Sequence, residues 1–189
     1  MEDQKASESN EIKIKVKNSY YVYNHGSNDK TQVNMDYLRI TNGELSLDGN
    51  DCNLDFSFRG YLKEDCYFYF TKKYYKANFV YYTGQLVKNT FQLNWAFGDN
   101  SKSYENSKNL LREEKYLAEI ELECDVHFLE YNGQRVEIVL DKKEKEGFFV
   151  HNSKINTIKI KEDGSTIINN AFYSKVSLKG DNTFYVSED

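Results

Sequence analysis

The sequence predicts an all-β protein, either an antiparallel β-sandwich with a jelly-roll-like arrangement or a barrel, built from about 11–13 short strands. Segments in which apolar and polar residues alternate recur along the chain. Turn-forming residues, mainly Asn, Asp and Gly, separate these segments at intervals of roughly ten residues. Strand patterns do not alternate with helical patterns, which argues against a nucleotide-binding α/β fold.

The length of the chain suits one domain. Its 189 residues fall within the usual range of roughly 100–200 residues for a single domain. A hydrophobic fraction of 39% supplies enough side chains for a core. Residues 1–10 contain no large apolar residue except Met1, which predicts a disordered N-terminal tail. We therefore expect a single all-β domain over residues 11–189.

The first strands are predicted by a two-residue period. Residues 11–17 read EIKIKVK, in which aliphatic and lysine side chains alternate as they do in a half-buried strand. Residues 24–34 are polar and are expected to form a loop. The pairs Asn42-Gly43 and Asp48-Gly49 each predict a turn, because these residues supply the positive φ angles of tight hairpins.

Aromatic-rich strands are expected between residues 54 and 97. Phe91, Leu93, Trp95 and Phe97 share one phase of the alternation, so the single tryptophan is expected in the core. A polar loop follows these strands, and after it at most one short helix is expected, near residues 105–115.

Residues 116–128 predict a long strand. The even positions are apolar, whereas the odd positions from Glu119 to His127 are acidic or polar. Asn132-Gly133 then predicts a hairpin turn into another apolar strand. Further turns are expected at Asn152-Ser153, at Asp163-Gly164 and at residues 180–182.

Charge and composition limit the function classes. The net charge is −5 and no dense basic run occurs, so a nucleic-acid partner is disfavoured. No apolar stretch has the length of a membrane span and the N-terminus lacks a signal-peptide pattern, which predicts a cytoplasmic location. The abundance of Tyr, Asn and Lys beside an absence of Pro indicates an AT-rich genome, which suits a viral or bacterial host-interaction factor. The three cysteines form no CxxC pair, so free thiols are expected, and no motif indicates a cofactor.

The acidic row at residues 119–127 is a candidate catalytic site. Its segment EIELE, residues 119–123, resembles the EIDIE strand of the laminarinase and lichenase-type jelly-roll glycosidases. The resemblance implies that Glu119 is the nucleophile and that Glu123 is the acid and base. It also implies that Glu121 is the helper residue, which is Asp in that family.

Three other interpretations of this row remain open. A metal ion could be bound by Asp125 and His127, although a site needs three or four converging ligands. An acidic inhibitor could use the row to mimic nucleic acid. The row could also be a solvent face whose carboxylates pair with lysines on a neighbouring strand, among them those of residues 13–17.

A tyrosine-rich segment at residues 61–82 provides the leading functional hypothesis. Tyrosine combines an apolar ring with a polar hydroxyl and is enriched where proteins dock. We therefore expect a non-enzymatic protein that binds a protein partner through a sheet face or edge, with a carbohydrate-active jelly roll as the alternative. The candidate binding residues are Tyr67, Tyr69, Tyr74, Tyr75, Tyr81 and Tyr82.

Overall fold

The computed structural model describes residues 11–22, 30–51, 54–63, 67–74, 79–97, 117–169, 171–173, 175–178 and 183–187. The expected N-terminal tail, the expected helix and the expected turn at 180–182 lie outside these residues. Every described element is a β-strand. The strands are β1 (Ile12–Val22), β2 (Thr31–Gln32), β3 (Asn34–Met35), β4 (Tyr37–Thr41), β5 (Glu44–Asp51), β6 (Leu54–Lys63), β7 (Tyr67–Tyr74), β8 (Phe79–Val87), β9 (Thr90–Phe97), β10 (Leu117–Leu122), β11 (Cys124–Tyr131), β12 (Gln134–Asp141), β13 (Glu146–His151), β14 (Lys154–Ile160), β15 (Thr166–Ile168), β16 (Ala171–Tyr173), β17 (Lys175–Leu178) and β18 (Thr183–Ser187).

A closed antiparallel barrel forms the first part of the molecule. Its strands β1 and β4 to β10 each pair with the next strand, and β10 pairs back with β1. The short strands β2 and β3 add to this sheet by pairing with β1 and β5. The predicted all-β antiparallel class is therefore confirmed, and the first sheet is an up-and-down barrel.

The other eight strands form a second sheet that curves into a half-barrel. Their order is β16-β15-β14-β13-β12-β11-β18-β17, and every pair is antiparallel except β11 with β18. A single residue separates β16 from β17, so the two edge strands are consecutive in the chain. The described strands number 18, more than the sequence predicted, because ladders of two or three residues are too short to show a period.

Aromatic side chains fill the barrel. Phe91 is fully buried, and its ring centroid lies 5.0 Å from that of Phe68 and 5.5 Å from that of Phe70. Phe58 stacks on Phe70 with 4.7 Å between the centroids. Gly60 makes this packing possible, because a Cβ there would come within 2.3 Å of the Phe70 ring. The interior is thus occupied by side chains, as small barrels permit.

The hairpin turns follow the predicted chemistry with one exception. Asn42-Gly43, Asn132-Gly133 and Asn152-Ser153 all have positive φ angles at both positions, as type I′ turns require. The turn predicted at Asp48-Gly49 is wrong, because both residues lie inside β5. Gly49 is required there for another reason, since a Cβ would lie 2.0 Å from the backbone oxygen of Asn34.

The predicted long strand over residues 116–128 is divided at Glu123. β10 ends at Leu122 in the barrel, and β11 begins at Cys124 in the half-barrel. The backbone N–H of Glu123 donates to the carbonyl of Lys15 at the bend. Beyond the bend, the odd positions include a core residue: Leu129 is fully buried in the half-barrel.

The apolar core of the barrel extends into the half-barrel. The cluster of buried barrel residues continues into Val139 and Phe148 of the half-barrel, and Phe148 stacks on Phe91 with 6.5 Å between centroids. A second cluster, which includes Leu129, Ile138 and other aliphatic residues, fills the half-barrel itself. The prediction of a single domain over residues 11–189 stays a prediction.

Glu146 joins the two sheets electrostatically. Its carboxylate lies 3.8 Å from the Lys159 ammonium and accepts a hydrogen bond from the backbone N–H of Lys13 in the barrel. Burial raises the pKa of the Glu146 carboxyl, and the interactions with Lys159 and Lys13 oppose that rise. The native state therefore binds the proton of Glu146 more readily than the unfolded chain does.

We expect Glu146→Gln to alter how stability depends on pH. Because the native pKa is raised, Glu146 favours the native state most below its unfolded pKa, and this contribution is lost as pH rises through the native pKa. The free energy of unfolding of the variant should therefore fall less than that of the wild type between about pH 4.5 and neutrality. Urea unfolding at a series of pH values measures the difference, and parallel curves for the two proteins would contradict the expectation.

Candidate binding cleft and buried polar cluster

The acidic row begins on the outer face of the barrel. Ala118 and Ile120 of β10 are buried in the barrel, so Glu119 and Glu121 project from its outer face. The outer face of a closed barrel is convex, so its side chains spread apart, whereas a retaining glycosidase needs two carboxyl groups about 5–5.5 Å apart. Glu119 and Glu121, which the EIELE resemblance would make the nucleophile and the helper, thus lie on a convex surface. Glu123, which it would make the acid and base, lies at the bend after β10 and lines a separate, charged cleft.

Basic and hydroxyl groups of β1 accompany the row. The Lys17 ammonium lies 3.8 Å from the Glu121 carboxylate, and the Lys15 ammonium lies 3.9 Å from Glu123. The Tyr20 hydroxyl donates to Glu119, and burial together with this hydrogen bond raises the pKa of Tyr20 to about 12. These contacts are the cross-strand pairs expected of a solvent face, and they reduce the negative field that a nucleic-acid mimic would need.

Asp125 and His127 belong to the half-barrel and not to the barrel. The His127 ring packs edge-on against Phe184, with 5.0 Å between the centroids. Among the described residues, no group of three or more His, Cys, Asp and Glu side chains is placed to hold a metal ion. The neighbouring Cys124 is buried, and burial raises the pKa of its thiol to about 12.

The predicted tyrosine surface is divided among several environments. Tyr67 has 41% of its surface exposed, whereas Tyr74 is half-buried. Tyr75 lies outside the described residues. The remaining three are buried, and burial withdraws them from the surface available to a partner: Tyr69, Tyr81 and Tyr82.

A polar cleft of about 490 Å³ lies where the barrel meets the half-barrel. The turn after β4 and the strand β6 form its barrel side, and the start of β14 with the turn after β15 forms its other side. Among the described residues that line it, Lys154 is the only charged one. The polar and aromatic side chains of the lining are Asn42, Tyr61, Ser153, Asn156, Thr157 and Asn169.

Two asparagines hold the half-barrel side of the cleft in place. The Asn169 amide donates to the Asn156 side-chain oxygen at 2.5 Å, and its own oxygen accepts from the Thr157 backbone N–H at 3.0 Å. Asn156 is buried and donates to the carbonyls of His151 and Lys154. A network in which each amide is oriented by its neighbours presents fixed donors and acceptors, which favours a specific ligand.

Tyr61 stands at the barrel side of this cleft. The residue is 40% exposed. Its ring packs against Tyr69 with 5.6 Å between the centroids, and the Lys63 ammonium lies 6.0 Å from the ring centroid. Tyr67, which is also exposed, lies diagonally across from Tyr61 on β7. An exposed aromatic face therefore adjoins a set of uncharged hydrogen-bonding groups.

A second cleft, of about 620 Å³, is strongly charged. Its lining includes four lysines and four acidic residues, and several of these already neutralise one another. Lys15 faces Glu123, and the Asp141 carboxylate accepts from the backbone N–H groups of Lys143 and Glu144. The Lys13 ammonium lies over the Tyr37 ring at 4.1 Å. This cleft thus offers less unsatisfied polarity than its composition suggests.

A polar cluster is buried inside the barrel near the end of β5. The Lys72 ammonium lies 2.5 Å from the Asp51 Oδ2 atom, and both side chains are almost wholly buried, with 3% and 2% exposed. The Tyr74 hydroxyl donates to the same carboxylate, at 2.8 Å from Oδ1 and 2.6 Å from Oδ2. Burial and the neighbouring Asp51 raise the pKa of the Tyr74 hydroxyl, so Tyr74 keeps its proton and remains a donor.

The barrel interior around this cluster has no room for a ligand. The cavity beside Lys72 and Tyr82 measures only about 10 Å³, which is close to the space of one water molecule. Aromatic rings enclose the ammonium, with the Phe56 centroid at 4.4 Å and the Tyr21 centroid at 5.2 Å. The cluster is therefore a closed site, whereas the polar cleft is open to solvent.

No protein-family model, curated protein or solved structure matches this chain. Within the described ranges, no helix combines the length and the apolar character needed to cross a membrane. Evidence about function therefore comes from the residues themselves, of which the cleft and the buried cluster are the most informative.

Proposed function

We propose that the protein is a non-catalytic carbohydrate-binding protein whose ligand occupies the polar cleft. The observation that carries the proposal is the lining of uncharged amides and hydroxyls beside the exposed ring of Tyr61. The volume of the cleft, about 490 Å³, falls in the usual range of roughly 300–1,000 Å³ for ligand sites.

The chemistry of the lining matches that of a neutral sugar. A pyranose ring presents C–H groups on its faces, which pack well on an aromatic ring such as Tyr61, and hydroxyls on its rim, which pair with amides. The exposed Asn169 amide, oriented by its hydrogen bonds to Asn156 and Thr157, keeps one N–H group to donate to that rim without reorganisation. Asn156 is buried and both of its N–H groups are donated to backbone carbonyls, so its part is to orient Asn169. A charged ligand would find only Lys154 as a counter-ion among the described lining residues.

A panel of neutral and anionic oligosaccharides, screened by glycan array and then by isothermal titration calorimetry with the full chain, tests the proposal. We expect a neutral oligosaccharide to bind without being hydrolysed. Tyr61→Ala should weaken its affinity about tenfold, or about 1.4 kcal/mol, because the stacking surface is lost. Asn169→Ala should also weaken binding, since it removes the amide that keeps an N–H group for the sugar hydroxyls.

Tyr37→Ala is the matched control, because Tyr37 is 37% exposed and lines the charged cleft instead. This variant should bind as the wild type does, as should Glu119→Gln. Failure of every neutral glycan to bind would overturn the proposal. A protein partner docked on Tyr61 and Tyr67 would then be the second candidate, favoured by the joint exposure of these two rings.

A further inference from the structure

We infer that Lys72 and Asp51 form an intramolecular isopeptide bond inside the barrel. The two groups are in contact, with 2.5 Å between the Lys72 Nζ and Asp51 Oδ2 atoms. They lie on β7 and β5, the two strands that flank β6, so the amide would join both neighbours of one strand covalently. This inference does not depend on carbohydrate binding in the polar cleft.

The Lys72–Asp51 pair differs from a surface ion pair in being buried among aromatic rings. Only 3% of the Lys72 side chain and 2% of the Asp51 side chain are exposed to solvent. The rings of Phe56, Tyr74 and Tyr21 lie within 5.2 Å of the ammonium. Charges held among apolar groups lose their hydration, and their mutual attraction repays that loss only in part. Conversion of the two charges into a neutral amide removes this cost.

The reaction balances without any co-reactant. A proton passes from the Lys72 ammonium to the Asp51 carboxylate, which leaves a neutral amine beside a carboxylic acid. The Nζ lone pair then attacks Cγ, the Nζ–Cγ bond forms, and the tetrahedral centre loses its hydroxyl together with a proton from Nζ as water. Nothing is oxidised or reduced, and one water molecule is released.

Tyr74 is placed to assist the addition of the amine to Cγ. Its hydroxyl lies 2.8 Å from Asp51 Oδ1 and 2.6 Å from Oδ2. A donor on these oxygens stabilises the negative charge that develops when the amine adds to Cγ. Exclusion of bulk water by the surrounding rings also disfavours the reverse hydrolysis.

Intact-mass spectrometry of the purified full chain tests the inference directly. The expected mass is lower than that of the sequence by the mass of one water molecule. Trypsin cannot cleave after an acylated lysine, so digestion should give a single branched product. It joins residues 40–59, which contain Asp51, to residues 64–73, which contain Lys72. A chain with the full sequence mass and two separate peptides would overturn the inference.

Three variants sharpen the test. Lys72→Met cannot form the bond and should have the full mass of its own sequence. Asp51→Asn should lose ammonia in place of water if Cγ is the atom attacked. Tyr74→Phe should accumulate the uncrosslinked mass, and complete crosslinking in this variant would contradict the role of Tyr74. The exposed pair Lys15 and Glu123 is the internal control, and its peptides should remain separate.

Discussion

Replacement of Phe91 with alanine is expected to lower the free energy of unfolding by about 3–5 kcal/mol, a large effect for a single substitution. The ring is fully buried and contacts Phe68, Phe70 and Phe148, so it packs on both the barrel and the half-barrel. Removal loses the transfer free energy of the ring and leaves a cavity that the flanking strands cannot close.

Urea unfolding monitored by circular dichroism measures this loss. The midpoint should fall while the dependence on urea concentration stays similar, because the surface exposed on unfolding is nearly unchanged. Val87→Ala is a suitable control, since Val87 lies in the same β-hairpin as Phe91 but is 43% exposed. It should change stability by no more than about 0.5 kcal/mol. Equal effects of the two substitutions would contradict the assignment of Phe91 to the joint core.

Local features of the fold were predictable because they depend on a few neighbouring residues. The turns at Asn42-Gly43 and Asn132-Gly133 follow from the ability of these residues to adopt positive φ angles. Gly49 shows the limit of such reasoning, because the group that makes glycine necessary there is the Asn34 carbonyl. That contact arises only when β3 pairs with β5, which no local pattern reveals.

Closure of the barrel also could not be predicted from local sequence patterns. The pairing of β10 with β1 brings together residues roughly one hundred positions apart, such as Ser19 and Ile120. Alternation continues across Glu123, so the sequence shows no sign that β10 and β11 belong to different sheets. The change of sheet appears only in the hydrogen bond from Glu123 to Lys15 and in the burial of Leu129.

The candidate sites also combine residues that a local pattern marks with residues that only the long-range strand pairing brings together. Lys72 follows Phe68 and Phe70 in the interior phase of β7, and this misplaced charge was the signal in the sequence for a buried partner. Its partner Asp51 could not be named, because it comes from a strand that does not pair with β7. The cleft residues Tyr61, Asn156 and Asn169 carried no distinguishing pattern, since their proximity depends on how the two sheets meet.

Lys72→Met is expected to destabilise the protein by at least about 3–5 kcal/mol, because it prevents the isopeptide bond and leaves the Asp51 carboxylate buried without its cation. The double variant Lys72→Met with Asp51→Asn should be more stable than Lys72→Met by about 2 kcal/mol. Asparagine carries no charge and can still accept from the Tyr74 hydroxyl. Neither variant can form the isopeptide bond, so the difference between them isolates the unpaired buried charge.

Chemical denaturation of both variants at neutral pH measures this difference. Lys17→Met is the surface control, because Lys17 faces Glu121 with 59% and 33% of the two side chains exposed. Exposed pairs contribute at most about 1 kcal/mol, so this variant should remain close to the wild type. A double variant no more stable than Lys72→Met would contradict the presence of an unpaired buried charge, and would mean that the Asp51 carboxyl is protonated or hydrated once Lys72 is lost.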